Sequence, residues 1–284
     1  MSLGLKSGWE VFVASGKTFK KHPQLLIPLL VVYLFFLSFL FFNPILNLAT
    51  NHFEAAMYII TVLYTTSFFL IIACSILLEL LYQKEAGQKF SLGKSIKETF
   101  LKNIISISVL AFLWIFLIIS FRKGSQGQGN SLFSIVKQII YKGARIWLFL
   151  VFPAIVWENL SLRKSFKKSY TILNSQKTEF YSAYMLSYWN QIIVFFPIIA
   201  LVFLENILTI ESKLPWNIAL LYVPFAWSYT LYVEQMFLAE LYLWHMKWEK
   251  EVDKARSEGK AEPILTDITR PSIIDDHPDL LPLL

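Results

Sequence analysis

Six stretches of the sequence, residues 25–46, 57–78, 104–121, 139–158, 183–204 and 217–238, are each apolar over the roughly 20 residues that a helix needs to cross about 30 Å of hydrocarbon. In hydrocarbon every backbone N–H and C=O must be satisfied internally, so runs of this length are read as helices. The fourth is the weakest, because Lys142 and Arg145 sit near its start, where their long stems can carry the charge back to the interface. Hydrophobic residues make up 56% of the chain and charged residues 16%, with a mean hydropathy of +0.52. A soluble domain carries about a quarter charged residues, so too little polar side chain is present to cover a water-facing surface. The expected fold class is all-α: a polytopic membrane helical bundle of six transmembrane helices. The first stretch is longer than the 7–15-residue core of a signal peptide and is read as a permanent anchor.

Lysine and arginine set the expected orientation. Four precede the first stretch, five join the second to the third, five join the fourth to the fifth, and six follow the last. That places twenty of the 26 basic residues on one side, so both termini are expected in the cytoplasm and the chain in the cytoplasmic (inner) membrane. The formal charge of +6 is distributed beside apolar runs, as anionic headgroups require, rather than as a nucleic-acid footprint. The lone Cys74 lies in an apolar run and can form no intramolecular disulfide.

Two connecting segments repeat at a spacing of 70 residues. Ser91-Leu92-Gly93-Lys94-Ser95-Ile96-Lys97-Glu98-Thr99-Phe100 and Ser161-Leu162-Arg163-Lys164-Ser165-Phe166-Lys167-Lys168-Ser169-Tyr170 share five of ten positions. Each opens on a serine suited to N-capping. On a helix Leu92, Ile96 and Phe100 form one stripe, as do Leu162, Phe166, Tyr170 and Leu173, with lysines on the opposite arc. That is the pattern of a helix lying in the headgroup plane. Leu5-Lys6-Ser7-Gly8-Trp9 reads as a more divergent third copy, with Leu5, Trp9, Phe12 and Phe19 on one face. The membrane domain, 1–244, then divides into three units of cytoplasmic-side interfacial amphipathic helix plus hairpin, at about 1–85, 86–158 and 159–244. Residues 245–284 form a charged helix extension and a proline-punctuated tail. Lys94, Lys97, Arg163, Lys164, Lys167 and Lys168 are the candidate anionic-lipid contacts.

Little chemistry is legible. Gly93-Lys94-Ser95 and Gly16-Lys17-Thr18 lack the spacing and strand of a phosphate-binding loop. The Ser-x-x-Lys pairs lack the companion motifs of a serine–lysine hydrolase. His22, His52, His245 and His277 are scattered, so no metal, cofactor or catalytic set is expected. Pro153, Pro197 and Pro224 fall within spans and read as kinks or as a mid-membrane hinge. Glu79, Glu158, Glu234 and Glu240 lie near the expected cytoplasmic ends of spans. They read either as ion-pair partners of the interfacial lysines or as a polar vestibule for a cationic or amphiphilic ligand.

Ser7-Gly8-Trp9-Glu10-Val11-Phe12 with Lys20-Lys21-His22-Pro23, the segment from Ser91 to Phe100, and Phe152-Pro153-Ala154-Ile155-Val156-Trp157-Glu158 with Lys164-Ser165-Phe166-Lys167-Lys168-Ser169 together carry a resemblance. Over roughly residues 5 to 240 the chain resembles a poorly characterised group of bacterial and archaeal six-helix integral membrane proteins. That group is distantly similar to the membrane domain of glycerophosphodiester phosphodiesterases. The resemblance implies a six-helix fold and brings no catalytic residues; the soluble hydrolase domain of those enzymes has no counterpart here.

The expected function is therefore non-catalytic: an accessory subunit, assembly factor or lipid-interacting organiser. Its partners would be membrane lipids with anionic headgroups and a protein met through the tail or the bundle, with Leu280–Leu284 a possible docking strip. The alternatives are a carrier or flippase for a lipid or small amphiphile, and a membrane-embedded enzyme.

Overall fold

The computed structural model describes residues 3–42, 52–122, 143–144, 147–175, 177–208, 214–269 and 271, and every regular element among them is helical. In chain order these are α1 (Leu3–Lys21), α2 (Ile27–Phe42), α3 (His52–Glu85), α4 (Leu92–Arg122), α5 (Trp147–Val156), α6 (Leu162–Ser175), α7 (Lys177–Leu208) and α8 (Leu214–Ser257). Short 3₁₀ turns occupy Pro23–Leu26 and Leu265–Asp267.

By length and composition, one helix among the described residues is able to cross a membrane, Ile60–Glu85 within α3. Up to three are counted if each sharply bent pair is one span. The fourth expected crossing appears among the described residues only as α5, half the length required. The described apolar part of α7 is Trp189–Glu205. In α8 tryptophans, tyrosines, hydroxyls and Pro224 dilute the apolar run.

The bends fall where the repeat predicts them. Phe12–Lys21 meets Pro23–Ser38 at 109°, and Leu92–Lys102 meets Ile104–Leu117 at 79°. At the first joint Pro23 forbids its predecessor the helical region, and His22 is accordingly off it at φ −137°, ψ 65°. The chain enters the second copy through a Schellman motif at the end of α3: Gln88 N–H donates to Gln83 O and Gly87 N–H to Lys84 O, with Gly87 at φ +67°. Ser91 then caps α4, its Oγ accepting from Lys94 N–H at 3.3 Å. Asn159, at φ +50°, turns the chain from α5 into α6.

Each amphipathic arm presents three faces rather than two. Ser95 and Thr99 of α4, and Ser165, Ser169 and Ile172 of α6, are buried against the bundle. Leu92, Ile96 and Phe100 stay exposed, and Tyr170 is 57% exposed. Small hydroxyl residues face the bundle, where they permit close approach, and the larger apolar side chains flank them, Leu162 and Phe166 packing partly against the core. The second half of α1 follows the same rule; the side chains of Leu5 and Trp9 lie outside the described residues. Gly16-Lys17-Thr18-Phe19-Lys20-Lys21 matches Arg163-Lys164-Ser165-Phe166-Lys167-Lys168, with Thr18 buried, Phe19 packed between Phe225 and Tyr229 of α8, and Lys17, Lys20 and Lys21 exposed.

The core sits at one end of the bundle. From Ile71 to Glu85 of α3 and from Thr230 to His245 of α8 every residue is buried, on all sides of the helix. Elsewhere the outer faces are apolar: Ile105 is 79% exposed, Leu221 73%, Phe203 65% and Phe112 64%. Large exposed apolar side chains of this kind fit a hydrocarbon solvent better than water, in which a contiguous apolar patch rarely exceeds a few hundred Å². Beyond α8 the chain doubles back. Trp244 Nε1 and Trp248 Nε1 donate to the Ile268 and Pro263 carbonyls, each at 2.9 Å, and Leu265 and Ile268 pack on the core. This part of the tail is thus held by its own helix; Leu280–Leu284 lies outside the described residues.

Candidate functional site

The densest polar constellation joins three elements around Lys168 of α6. Its Nζ lies 2.7 Å from Oε1 and 2.8 Å from Oε2 of Glu158, just past α5, and 2.8 Å from Glu249 Oε2 on α8. Tyr242 O–H donates to Glu158 Oε1, and the ammonium also stands 5.6 Å from the centre of the Tyr242 ring. His245, fully buried, places Nε2 3.3 Å from Glu249 Oε1. Trp157 braces the group: its indole N–H donates to Leu78 O at 2.9 Å while its ring meets Tyr242 edge-on. The helical offset explains the α8 contribution, since Tyr242, His245 and Glu249 are three and four residues apart and share one face.

Charge pairing sets the protonation of this cluster. Burial alone would raise the Glu249 carboxyl, but the contacts from His245 and Lys168 outweigh it and hold it at about 2. Burial would lower the Lys168 ammonium; its hydrogen bonds to Glu158 and Glu249 prevail and raise it above its usual 10.5. Desolvation and the Glu158 carboxylate push the Tyr242 phenol far above its ordinary range. The sign follows for stability. Glu249 titrates lower in the folded chain than its ordinary 4.5, so its contribution is complete above about pH 4.5 and fades as pH falls towards 2. Thermal unfolding in detergent between pH 6 and 3 should show an acid loss of stability that Glu249→Gln flattens. Identical acid slopes for the two proteins would refute this assignment.

A second clamp secures the α4 arm. The Gln83 carboxamide accepts Ser91 N–H at 2.7 Å on Oε1 and donates from Nε2 to Ser95 Oγ at 3.0 Å. Beside it the buried Lys84 and Glu85 pair at 3.0 Å. Arm and neighbouring helix are therefore tied by polar contacts at both repeats.

The four expected glutamates fall on α3, at the end of α5 and on α8. Glu158 belongs to the Lys168 cluster. Glu79, 6% exposed, faces the α4 arm, with Glu98, Lys102 and Lys94 as its electrostatic neighbours. Glu234 and Glu240 are both buried on α8, six residues and about 120° apart around the helix. Of the expected lipid contacts, Lys94, Lys97, Arg163, Lys164 and Lys167 are exposed, Lys94 also donating to Gln88 Oε1 at 3.2 Å. Lys168 is turned inward to the carboxylates. Tyr242, His245, Glu249 and Gln83 were not singled out from the sequence. The i, i+4 relation of His245 to Glu249 was the available signal.

Among the described residues, cavities of about 480, 610 and 210 Å³ are lined by no carboxylate. Among the described residues no group of three or more His, Cys, Asp or Glu is placed to hold a metal ion. Chemically the Lys168 cluster can fasten α6 to α5 and α8: its ammonium is shared between two carboxylates and its phenol is committed to one of them. No family model, curated protein or solved structure matches the chain.

Proposed function

We propose that the chain is a six-span protein of the cytoplasmic membrane, with both termini in the cytoplasm, that acts without catalysis as an accessory subunit or organiser by gathering anionic lipid at its cytoplasmic face. The observation that carries this reading is the division of faces on the repeated arms. Hydroxyls and Lys168 are directed into the bundle, while Lys94, Lys97, Arg163, Lys164 and Lys167 are left exposed beside an exposed apolar stripe. A basic edge next to an apolar one suits the boundary between acyl chains and phosphate headgroups. The six-span count draws on the hydropathy of the sequence and on the resemblance to the six-helix group. It requires the bent pairs of α1–α2 and α4, together with α5, α7 and α8, to lie in the bilayer alongside α3.

The test is native mass spectrometry of the full chain in nanodiscs of equimolar phosphatidylglycerol and phosphatidylcholine. Retained lipid should be enriched in phosphatidylglycerol; retention at the bulk ratio would overturn the lipid role. A reporter active only outside the cytoplasm, fused after Leu284, should stay silent. Activity there would mean an odd number of crossings.

A further inference from the structure

Between α1, α7 and α8 lies the cleft of about 610 Å³, walled by Phe12 and Phe19 of α1, Ile193 and Val194 of α7, and Phe225 and Tyr229 of α8. That volume is in the range of small-molecule sites. Its long wall is one face of α8: Tyr222, Phe225 and Tyr229 are three and four residues apart and span about 10 Å of helix. Phe19 meets the rings of Phe225 and Tyr229 edge-on, at 6.4 and 5.6 Å between centres. At the Tyr222 end the hydroxyl donates to the Val194 carbonyl at 2.8 Å and presents no polar demand to an occupant. Gly16 belongs to the same lining, and a Cβ there would come 3.5 Å from the Tyr229 hydroxyl. A longer side chain at that position would therefore take up the space of the cleft.

Charge is confined to one edge. Lys17 and Lys20 line the cleft, three residues apart on α1 and both exposed. Among the described residues no acidic side chain lines it with them. Helix α1 ends at Lys21 and the chain then turns through 109° toward α2, so both ammonium groups belong to the arm. Gly16, next to Lys17, sits against Tyr229; from there the apolar wall runs along α8 toward Tyr222, away from the buried stretch that begins at Thr230. An occupant complementary to both parts is anionic at one end and hydrocarbon at the other. A choline head would set a third cation beside two others, and a small inorganic anion would leave the aromatic wall uncovered.

We propose that this cleft holds one anionic phospholipid of the bilayer, its phosphate at Lys17 and Lys20 and one acyl chain along Phe225 and Tyr222. The proposal rests on the reading above, in which the basic arms meet lipid headgroups, and adds to it a walled site for the chain.

The experiment uses the full chain in phosphatidylcholine nanodiscs with a trace of phosphatidylglycerol that carries a photoreactive diazirine in one acyl chain, labelled residues being mapped by mass spectrometry. Label should concentrate on Ile193, Tyr222 and Phe225. Unlabelled phosphatidylglycerol should compete it away, and glycerol phosphate, a head without a chain, should not. Lys17→Gln with Lys20→Gln, both at exposed positions, should cut labelling of Phe225 roughly tenfold, equivalent to about 1.4 kcal/mol. Gly16→Leu, which keeps both charges, should cut it as well by filling the space beside Tyr229. Replacing Lys94, Lys97, Arg163, Lys164 and Lys167 by glutamine should leave it unchanged. Phe225 labelling that the lysine pair does not alter, or equal labelling by a photoreactive phosphatidylcholine, would overturn the proposal. Equal competition by glycerol phosphate, or loss of the label with the other five cations, would also overturn it. If these fail while phosphatidylglycerol is still enriched among the retained lipid, the cleft falls and the lipid role of the arms stands; if the enrichment fails too, the reading beneath it falls.

Discussion

Replacing Lys168 by methionine is expected to destabilise the protein by about 3 kcal/mol, the largest single-residue effect that the structure supports. The stem of methionine fills much of the same space, so the loss is electrostatic. Without the ammonium, the carboxylates of Glu158 and Glu249 confront each other in a group whose lysine and Glu158 side chains are only 15% and 19% exposed. Removing one partner of a buried pair costs more than the pair contributes, roughly 3–5 kcal/mol, because a desolvated charge is stranded. The lower end applies here, since Glu249 is 41% exposed and water can reach it. Lys168→Arg keeps the charge and should recover most of the stability. Glu249→Gln should cost under about 1 kcal/mol, in line with a half-exposed pair. Thermal unfolding of the three variants in one detergent gives the comparison; a Lys168→Met protein as stable as its parent would show that the cluster does not fasten α6 to the bundle.

The same cluster marks the boundary of what the sequence discloses. The helical class, the places where the chain turns at His22-Pro23 and near Lys102, and the repeat at Ser91 and Ser161 are all local: apolar runs, a proline and a capping serine decide them, and each is written within a few residues. The partner of Lys168 is not local. Glu158 lies ten residues away and Glu249 eighty-one, so only the packing of α5, α6 and α8 selects those carboxylates from the twenty acids of the chain. The face that the arms turn to the bundle is not written in hydropathy either, which ranks Leu162, Phe166 and Tyr170 above the buried Ser165 and Ser169; close helix approach favours the small residues. In α1 Thr18 is buried, as Ser165 is in α6. The buried Thr18 reveals the register only once its neighbours on α8 are known. Glu79, Glu234 and Glu240 are legible as unusual carboxylates, and their burial is what the structure adds.

Removing the exposed charges of the arms should have the largest effect on lipid affinity. Lys94, Lys97, Arg163, Lys164 and Lys167 replaced together by glutamine take away five cations, each contributing about 1 kcal/mol toward an anionic surface. Full additivity would mean about 5 kcal/mol, or more than a thousandfold in affinity; screening at physiological salt, with a Debye length of about 8 Å, reduces this to roughly a hundredfold. The fold should survive, because the side chains that anchor the arms, Gln83 with Ser95 on one and Lys168 with Glu158 on the other, are untouched. The residual affinity should come from the first copy, where Lys17, Lys20 and Lys21 are exposed, and should disappear when these are replaced as well. Titration of the purified protein with a short-chain phosphatidylglycerol, at two salt concentrations, measures the change. Parent affinity should fall steeply as salt rises and that of the five-fold variant less steeply, in proportion to the three lysines that remain. If instead the variant binds as the parent does with the same salt dependence, the exposed lysines are a solvated surface and the anionic lipid is held elsewhere.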